Sequence, residues 1–328
     1  MKLLSFGEVL WDVYPDDKFI GGAPFNFAAH FSRCGGEAFM LSCVGKDALG
    51  GETLAAVKAQ GVSADYIFVS EDRETGKCLV TLNEKGIPSY NLLSDTAYDN
   101  IRVKEDFSVN DFGVLYFGTL ALRSKNNFDL MKKLTDDFKG EVLVDINIRA
   151  PHFSAQTVEF GLNNATIVKI SDEELSTVTG LVLGEQICSP ELAADRLKEK
   201  FKKLKLIIIT LGENGSMVLN AKENKLYYEK AQKVEVASTV GAGDSFAATF
   251  LYEYLKGSPI EKCLKNASKV SGFVVSQNGA VPNYDYNELI NKRFNNWKYS
   301  IDNVFCPEVY SNREEAMDGA FEALEKKM

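Results

Sequence analysis

The sequence contains only two histidines, His30 and His152, and they lie in unrelated surroundings. A Ser-His-Asp triad needs a histidine beside its nucleophile, and most zinc sites need histidine or paired cysteine. The six cysteines are scattered, and no two of them have Cys-x-x-Cys spacing. A histidine-dependent hydrolase and a cysteine-rich metal centre are therefore disfavoured, and the cysteines are expected to be buried thiols of a reducing compartment.

Two common nucleotide-binding motifs are also missing. The sequence has no Gly-x-x-x-x-Gly-Lys-Ser/Thr segment, so it is not predicted to contain a P-loop. No Gly-x-Gly-x-x-Gly follows the first predicted strand, which argues against a nicotinamide-dependent dehydrogenase.

Positive charge is in short supply. The chain has 37 Lys and Arg against 46 Asp and Glu, for a net charge of -9. A chain with this charge is not expected to bind nucleic acid or an anionic membrane through nonspecific electrostatic attraction. It has no apolar run of about 18 residues, and its start lacks the basic and long apolar segments of a signal peptide. We therefore expect a cytoplasmic protein that binds neither nucleic acid nor membrane.

Short apolar runs alternate with longer amphipathic ones along most of the chain. Near-continuous runs such as Leu206–Ile209 are typical of strands covered on both faces. The alternation predicts an α/β fold, with a mostly parallel central sheet and helices on both faces. The predicted strands are Lys2–Phe6, Ala38–Val44, Val114–Phe117, Val142–Asp145, Ile167–Ile170 and Leu206–Thr210, and the predicted helices are Phe25–Cys34, Gly51–Gln60, Lys125–Phe138, Pro190–Phe201, Asp244–Leu255 and Ile260–Ser276.

One region departs from this alternation. Residues 66–93 contain strand-like runs without helices between them, and they predict a small β-sheet lid to which part of 12–20 could contribute. The runs are Tyr66–Val69, Cys78–Leu82 and Ser89–Leu93. A surface hairpin without a role is the alternative. Exposed lid strands invite pairing with a second copy, so a homodimer through the lid is expected.

The boundaries of the chain's units follow from the same patterns. Residues 1–297 are predicted to form the main domain with its lid. Residues 298–328 differ in character and are predicted to form a C-terminal helical extension that packs on the main domain.

The segment Ser238–Asp244, Ser-Thr-Val-Gly-Ala-Gly-Asp, is the strongest chemical signal. Gly241 and Gly243 permit tight turns and close approach of a ligand. Their amides and the first turn of the following helix would form a site for an anion. Asp244 at this entrance is placed to accept a proton from a substrate hydroxyl. A plain helix N-cap is the alternative interpretation of Asp244.

A second glycine-rich segment precedes the first predicted helix. Gly21 and Gly22 are followed by Ala-Pro-Phe-Asn, and the proline suits the first turn of a helix. Gly22 would let a substrate approach the backbone, and Asn26 could present its amide to hydroxyl groups. Taken alone, this segment is more typical of a simple loop-to-helix turn.

Together the two segments resemble the two signatures of the ribokinase-like (PfkB) carbohydrate kinase family. The similarity covers about residues 1–295, and the segments Phe6–Asp12 and Asp145–Arg149 are most similar to the fructokinase branch. The resemblance implies ATP-dependent phosphorylation of a sugar, with D-fructose and fructose 6-phosphate as the expected substrate and product. 2-Keto-3-deoxygluconate, ribose or a nucleoside are alternative acceptors. A non-catalytic sugar-binding regulator is the alternative from another functional class.

The resemblance also implies roles for single residues. Those expected in catalysis are Asp244 as the base, Gly241, Ala242 and Gly243 as the anion hole, and Arg149, which would reach the substrate or the transferred phosphoryl group. Those expected to bind the sugar are Asp12, Gly21, Gly22, Asn26, Asn147, Arg149, Asp244 and, from the lid, Tyr90. Those expected to bind ATP are Lys169, Thr210, Gly212, Gly215, Gly241, Gly243 and Asn266.

Two cations follow from the resemblance as cofactors. Mg²⁺ would accompany ATP, and Glu174 matches the last position of the family's Asn-x-x-Glu motif, which contacts magnesium through ordered water. K⁺ is the second. Ser171 stands where the motif usually has asparagine, and Ser238 stands where many members have aspartate. Ser171–Glu174 is also typical of a helix start with an acidic first turn.

Overall fold

The computed structural model describes residues 1–82 and 88–291, with backbone alone at 82 and 88–90. The strands are β1 (Lys2–Phe6), β2 (Leu10–Val13), β3 (Lys18–Gly21), β4 (Glu37–Gly45), β5 (Val62–Ser70), β6 (Gly76–Leu82), β7 (Pro88–Leu92), β8 (Val114–Gly118), β9 (Glu141–Asp145), β10 (Ile167–Ser171), β11 (Leu206–Thr210), β12 (Ser216–Asn220) and β13 (Lys225–Glu229). The α-helices are α1 (Ala23–Arg33), α2 (Ala48–Ala59), α3 (Lys125–Asp137), α4 (Ala155–Asn164), α5 (Asp172–Leu183), α6 (Pro190–Lys200), α7 (Ala242–Leu255), α8 (Ile260–Val275) and α9 (Tyr286–Asn291).

Nine of the described strands form one sheet in the order β13-β12-β11-β10-β9-β8-β1-β4-β5. Every pairing from β11 to β5 is parallel, whereas β12 pairs antiparallel with both of its neighbours. This arrangement confirms the predicted α/β fold with a mostly parallel central sheet.

Side chains of the central strands alternate between two cores, one on each face of the sheet. In β11, Ile207 and Ile209 join the core that also contains Val178 of α5. Leu206 and Ile208 join the core that also contains Phe250 of α7. Because successive residues of a strand point to opposite faces, burial of both faces requires an uninterrupted apolar run.

The strand order reverses beside β1. From β1 the chain proceeds outward to β4 and β5, then returns to the other side of β1 at β8 and continues outward through β9, β10 and β11. Loops that leave the sheet in opposite directions at such a reversal open a crevice at the carboxyl ends of the strands. The crevice begins beyond Phe6 of β1 and Gly118 of β8.

A second, smaller sheet has the strand order β3-β2-β6-β7. It is built from an insertion after β1 and another after β5. The prediction that the lid begins at Tyr66 is wrong, because Tyr66 lies in β5 and pairs with Leu41 of the large sheet. Its ring packs against Phe39, Phe107 and Phe112, and these contacts hold β5 to the main core.

The predicted C-terminal extension, 298–328, and the last part of the predicted main domain, 292–297, lie outside the described residues. In the part of the chain that is described, no helix has the length and apolar character needed to cross a bilayer.

Candidate active site

Asp244 lies in the first turn of α7, which begins with Ala242. The preceding Gly241 has a φ of 80°, and a Cβ there would lie 2.3 Å from the carbonyl oxygen of Ala280, so this position requires glycine. Gly243 and Asp244 follow as the second and third helical residues, and amides at such positions have no acceptor within the helix. The positive end of the α7 dipole is therefore available to an anion.

The side chains of Asn26 and Asp244 meet across the fold. Asn26 Nδ2 donates a hydrogen bond to Asp244 Oδ2 at 2.8 Å, although 218 positions separate the two residues. Burial raises the pKa of Asp244, while the bond from Asn26 and the positive charges of Lys169 and Arg149 lower it. The contact brings the two glycine-rich segments of the sequence into one site.

A buried ion pair lies beneath the start of α7. Lys169 Nζ is 3.0 and 2.9 Å from the two carboxylate oxygens of Asp145. A Cβ on Gly243 would lie 3.2 Å from Lys169 Nζ, so the lysine reaches the glycine turn directly. Burial raises the pKa of Asp145 to about 6, although the positive charge of Lys169 lowers it. The predicted ATP residue Lys169 thus lies beside the predicted anion hole.

Asp12 of β2 marks the side of the crevice that faces the small sheet. A Cβ on Gly21 would lie 3.1 Å from Asp12 Oδ2, so Gly21 keeps the space beside this carboxylate open. Burial raises the pKa of Asp12, and a hydrogen bond with Cys78 and the charge of Arg149 lower it. Cys78 belongs to β6, so both insertions of the small sheet contribute to the surroundings of Asp12.

Arg149 follows β9 at the end of a short irregular segment. Asn147 in this segment has a φ of 42°, a left-handed backbone conformation that asparagine tolerates better than most residues. Arg149 is exposed, and its positive charge lowers the pKa of Glu8, Asp12 and Asp244. One guanidinium is therefore close enough to act on carboxyl groups from three separate segments.

Glu8 is a candidate residue that sequence reasoning missed. It follows β1 at the strand reversal, is 2% exposed, and its Oε2 has no hydrogen-bond partner among the described residues. Burial raises the pKa of Glu8 to about 7, the charges of Arg149 and Arg123 lower it, and Asp244 raises it. The available signal was a single acidic residue within the otherwise apolar run Phe6–Trp11.

We expect Glu8 to make the free energy of unfolding depend on pH. A carboxyl whose pKa is raised on folding binds more protons in the native state, so wild-type stability should fall as the pH rises from about 4.5 to about 7. Glu8→Gln removes this titration, and the variant should gain up to about 3 kcal/mol over the wild type across that range. Urea unfolding at several pH values measures the difference. The exposed Glu105→Gln serves as the control, and an identical pH trend in both variants would contradict the prediction.

Gly22 connects β3 to α1 with a φ of 107°, and a Cβ there would lie 2.6 Å from the backbone oxygen of Glu8. We expect Gly22→Ala to lower the free energy of unfolding by about 1–3 kcal/mol because the strained backbone has no room to relax. Gly51→Ala is the matched control, since nothing lies within 4 Å of its Cβ position and its helical backbone suits alanine. Chemical denaturation of both variants tests this, and equal stabilities would refute it.

Three of the predicted ATP residues lie together at the carboxyl end of β11. Thr210 ends the strand, and Gly212 and Gly215 form the turn into β12 with φ values of 56° and 109°. Leu211 N donates to Gly215 O at 2.8 Å and closes the turn. Since β11 pairs parallel with β10, the turn lies at the same edge of the sheet as Lys169.

Asn266, a further predicted ATP residue, lies in α8, and its contact with ATP stays a prediction. Its side chain is 6% exposed and lies beside the Tyr286 hydroxyl of α9, and its Nδ2 has no hydrogen-bond partner among the described residues. Residues two apart in a helix point about 200° from each other. Ser268, which donates to the Lys230 carbonyl at 2.9 Å, therefore faces the loop after β13, and Asn266 faces the interior.

Glu174 lies in the first turn of α5 and forms a capping box with Ser171, the N-cap of that helix. Its Oε2 accepts hydrogen bonds from the backbone N and the Oγ of Ser171, both at 2.8 Å. Its Oε1 accepts one from the backbone N of Ile148 at 2.5 Å. These bonds agree with the helix-start interpretation, and they also anchor the segment that leads to Arg149.

Tyr90 belongs to β7 of the small sheet, where its backbone pairs with Val80. Its side chain lies outside the described ones, so its contact with the sugar stays a prediction.

Comparison with known proteins decides the family. A family model described as pfkB family carbohydrate kinase matches residues 6–285. The chain belongs to the PfkB family of carbohydrate kinases. The prediction of a carbohydrate kinase with a ribokinase-like fold is thereby confirmed.

Individual relatives of this PfkB kinase differ in their acceptors. The chain is 25% identical to the fructokinase of Salmonella typhimurium over 316 residues, which cover 89% of this chain and 99% of that protein. It is 27% identical to the ATP-dependent 6-phosphofructokinase of Thermoanaerobacterium thermosaccharolyticum over 302 residues, which cover 85% and 89%. An uncharacterized sugar kinase of Pyrococcus horikoshii, solved in complex with ATP, matches with a TM-score of 0.73 at 25% identity and covers 89% of this chain and 98% of that one.

Proposed function

We propose that this PfkB kinase transfers a phosphoryl group from ATP to a free monosaccharide, and that its acceptor is D-fructose, with fructose 6-phosphate as the product. The observation that carries the proposal is the hydrogen bond between Asn26 and Asp244. It places a carboxylate at the entrance of α7 within reach of a polar group from the sugar side of the crevice.

The sugar would bind between Asp12, Asn26 and Arg149. Asp12 offers an acceptor for hydroxyl groups, and Gly21 leaves the backbone open beside it. In this pose one hydroxyl would point at Asp244, which accepts its proton as the oxygen attacks the phosphorus atom. Because the sugar hydroxyl and the phosphoryl group would already be bound side by side, their reaction would not carry the entropic cost of bringing them together.

The phosphoryl group would be received by the backbone amides at Gly243 and Asp244. The α7 dipole and the nearby Lys169 would stabilise the negative charge on the oxygens of the transferring group. ATP would approach from the turn that contains Thr210, Gly212 and Gly215, at the same edge of the sheet. Closure of the small sheet over the sugar would exclude water and limit ATP hydrolysis.

Mg²⁺ would enter with the phosphates of ATP. Among the described residues no group of three or more His, Cys, Asp or Glu is placed to hold a metal. Mg²⁺ keeps several waters and needs few protein ligands, which suits the lone pairs that the Glu174 carboxylate retains beyond its bonds to Ser171 and Ile148. When bound, the ion would neutralise charge on the phosphates.

The charge of the pocket favours a neutral acceptor over a sugar phosphate. Glu8, Asp12 and Asp244 all lie close enough to Arg149 to feel its charge. The neighbouring Arg123 is already paired with Asp99 at 2.8 Å. A second phosphate would therefore face more carboxyl groups than free guanidinium groups on the described side chains.

A panel of acceptors with coupled detection of ADP tests the proposal. We expect D-fructose to give the highest kcat/KM among fructose, ribose, 2-keto-3-deoxygluconate, adenosine and fructose 6-phosphate, and phosphorus NMR to locate the phosphate on O6. A faster reaction with another acceptor would replace fructose and keep the kinase. Sugar binding without release of ADP would instead support a non-catalytic regulator.

We also propose that two copies pair through the small sheet. Its edge strands, β3 and β7, have no further strand beside them among the described residues, and open edges favour pairing. Sedimentation equilibrium of the intact protein tests this, and a monomer at micromolar concentration would oppose it.

A further inference from the structure

His30 lies in the last turn of α1, and the proposed mechanism does not use it. Its side chain is fully buried, yet both ring nitrogens have partners. Nε2 is 2.9 Å from the carbonyl oxygen of Ala280, and Nδ1 is 2.8 Å from the hydroxyl of Tyr284. The imidazole therefore joins α1 to the segment that follows α8.

The partners of His30 define its tautomer. The carbonyl oxygen of Ala280 has no hydrogen to give, so Nε2 must carry the proton and donate it. Burial lowers the pKa of His30 to about 4, so the ring is neutral and Nδ1 is an acceptor. The hydroxyl of Tyr284 must then be the donor to Nδ1. The pair has one consistent arrangement of protons and hence one favoured ring orientation.

The residue that His30 binds lies directly behind the anion hole. A Cβ on Gly241 would lie 2.3 Å from the oxygen and 2.8 Å from the Cα of Ala280, so the two backbones are in close contact. Gly241 immediately precedes α7, and its backbone sets the direction in which the first amides of that helix point. Displacement of Ala280 would consequently displace the amides at Gly243 and Asp244.

The same face of α1 holds this segment at a second point. Arg33 Nη2 donates to Asn283 Oδ1 at 2.8 Å, and its guanidinium lies 5.5 Å from the centre of the Tyr284 ring. One turn before His30, Asn26 binds the carboxylate of Asp244. A single helix thus contacts both the candidate base and the backbone that supports the anion hole.

We propose that His30 is a positioning residue for phosphoryl transfer, which holds Ala280 against Gly241 and so fixes the anion hole relative to Asp244. Tyr284 fixes the orientation of the His30 ring. This role rests on the proposed function, because it requires that the start of α7 receives the phosphoryl group.

A positioning role of this kind predicts that substitution of His30 lowers kcat and leaves the KM for the sugar unchanged. The amides of the anion hole act on the charge that develops during transfer, so their misplacement lowers kcat. The sugar contacts from Asp12 and Arg149 lie outside the His30 network, so the KM for the sugar should not change. Loss of folded protein would also lower the measured activity, but it would not depend on which ring nitrogen of His30 the substituted side chain replaces.

Two substitutions of His30 distinguish the contributions of its two ring nitrogens. The amide nitrogen of glutamine can occupy the position of Nε2 and still donate to Ala280, whereas the shorter asparagine reaches only the position of Nδ1. We expect His30→Asn to lower kcat about tenfold or more with an unchanged KM for the sugar, and His30→Gln to stay within about threefold of the wild type. Both are assayed with the best acceptor of the panel, below their unfolding temperatures, with the folded fraction measured by circular dichroism.

Tyr284→Phe keeps the test decisive if the His30 variants fold poorly, since it removes only a hydroxyl. We expect its kcat to fall about threefold at constant KM, while Tyr254→Phe, a control at the far end of α7, leaves kcat unchanged. Equal kcat in His30→Asn and His30→Gln, or wild-type kcat in Tyr284→Phe, would overturn the inference. A wild-type protein that phosphorylates no acceptor would instead overturn the proposed function, so the two failures are distinguishable.

Discussion

Asp244→Asn is expected to lower turnover by about 10²–10⁴-fold, the usual range for loss of a general base. The substitution removes the proposed proton acceptor at the entrance of α7 and keeps the size of the side chain. Folding should not suffer, because burial already disfavours the charged form of Asp244. Affinity for the sugar, measured calorimetrically, should also change little, so the loss should lie in kcat.

Asp172→Asn is a matched control for Asp244→Asn. Asp172 also lies in the first turn of a helix, α5, but its side chain is exposed, and its Oδ1 accepts a hydrogen bond from the backbone N of Glu173 at 3.0 Å. It tests whether loss of a carboxylate at a helix start matters in general, through the helix dipole. Near-normal turnover in Asp244→Asn, or an equal loss in Asp172→Asn, would remove Asp244 from the role of base.

Lys169→Met should give the largest change in stability. It leaves the Asp145 carboxyl buried without its cation, and removal of one partner of a buried ion pair costs about 3–5 kcal/mol. The Lys169 and Asp145 side chains are only 7% and 2% exposed, so water cannot substitute for the lysine. Turnover should fall as well, because Lys169 Nζ reaches the glycine turn of α7.

Lys205→Met provides the comparison for Lys169→Met. The pair of Lys205 and Glu141 has side chains that are 53% and 24% exposed, and such a pair contributes about 0–1 kcal/mol. Urea unfolding of the two variants should therefore differ severalfold in the loss of stability. The loss in Lys169→Met should also shrink at low pH, since Asp145, whose pKa burial already raises to about 6, then becomes neutral. Similar losses in both variants at neutral pH would contradict the prediction.

Six of the nine strands of the large sheet were predicted as its members because their sequence signal is local, whereas β12 and β13 were not predicted. An uninterrupted apolar run such as Leu206–Ile209 needs cover on both faces wherever it lies in the fold. The same holds for the glycine turn before α7, since Gly241 adopts a left-handed backbone conformation that other residues resist. Short amphipathic segments were harder, and α5, which contains Gly180 and β-branched residues, was absent from the predicted helices.

Features that depend on a partner from a distant part of the chain were not predictable. The strand pattern at Tyr66 was correct, but only its aromatic neighbours decide that it joins the large sheet. The orientation of Asn266 depends on which side of α8 meets α9. The burial of Glu8 depends on Gly22, whose backbone comes close to it. In each instance a tertiary contact decided between local alternatives of similar plausibility.

In the described part of the chain, the small sheet is formed by two insertions, one after β1 and one after β5. Neither insertion lies inside a strand of the nine-stranded sheet, so the inserted strands can change without a change in the register of that sheet. An evolving lineage can therefore alter the inserted strands, and with them the shape offered to an acceptor. The segment from Asp145 to Asp244, to which we assign the phosphate chemistry, can remain under separate selection.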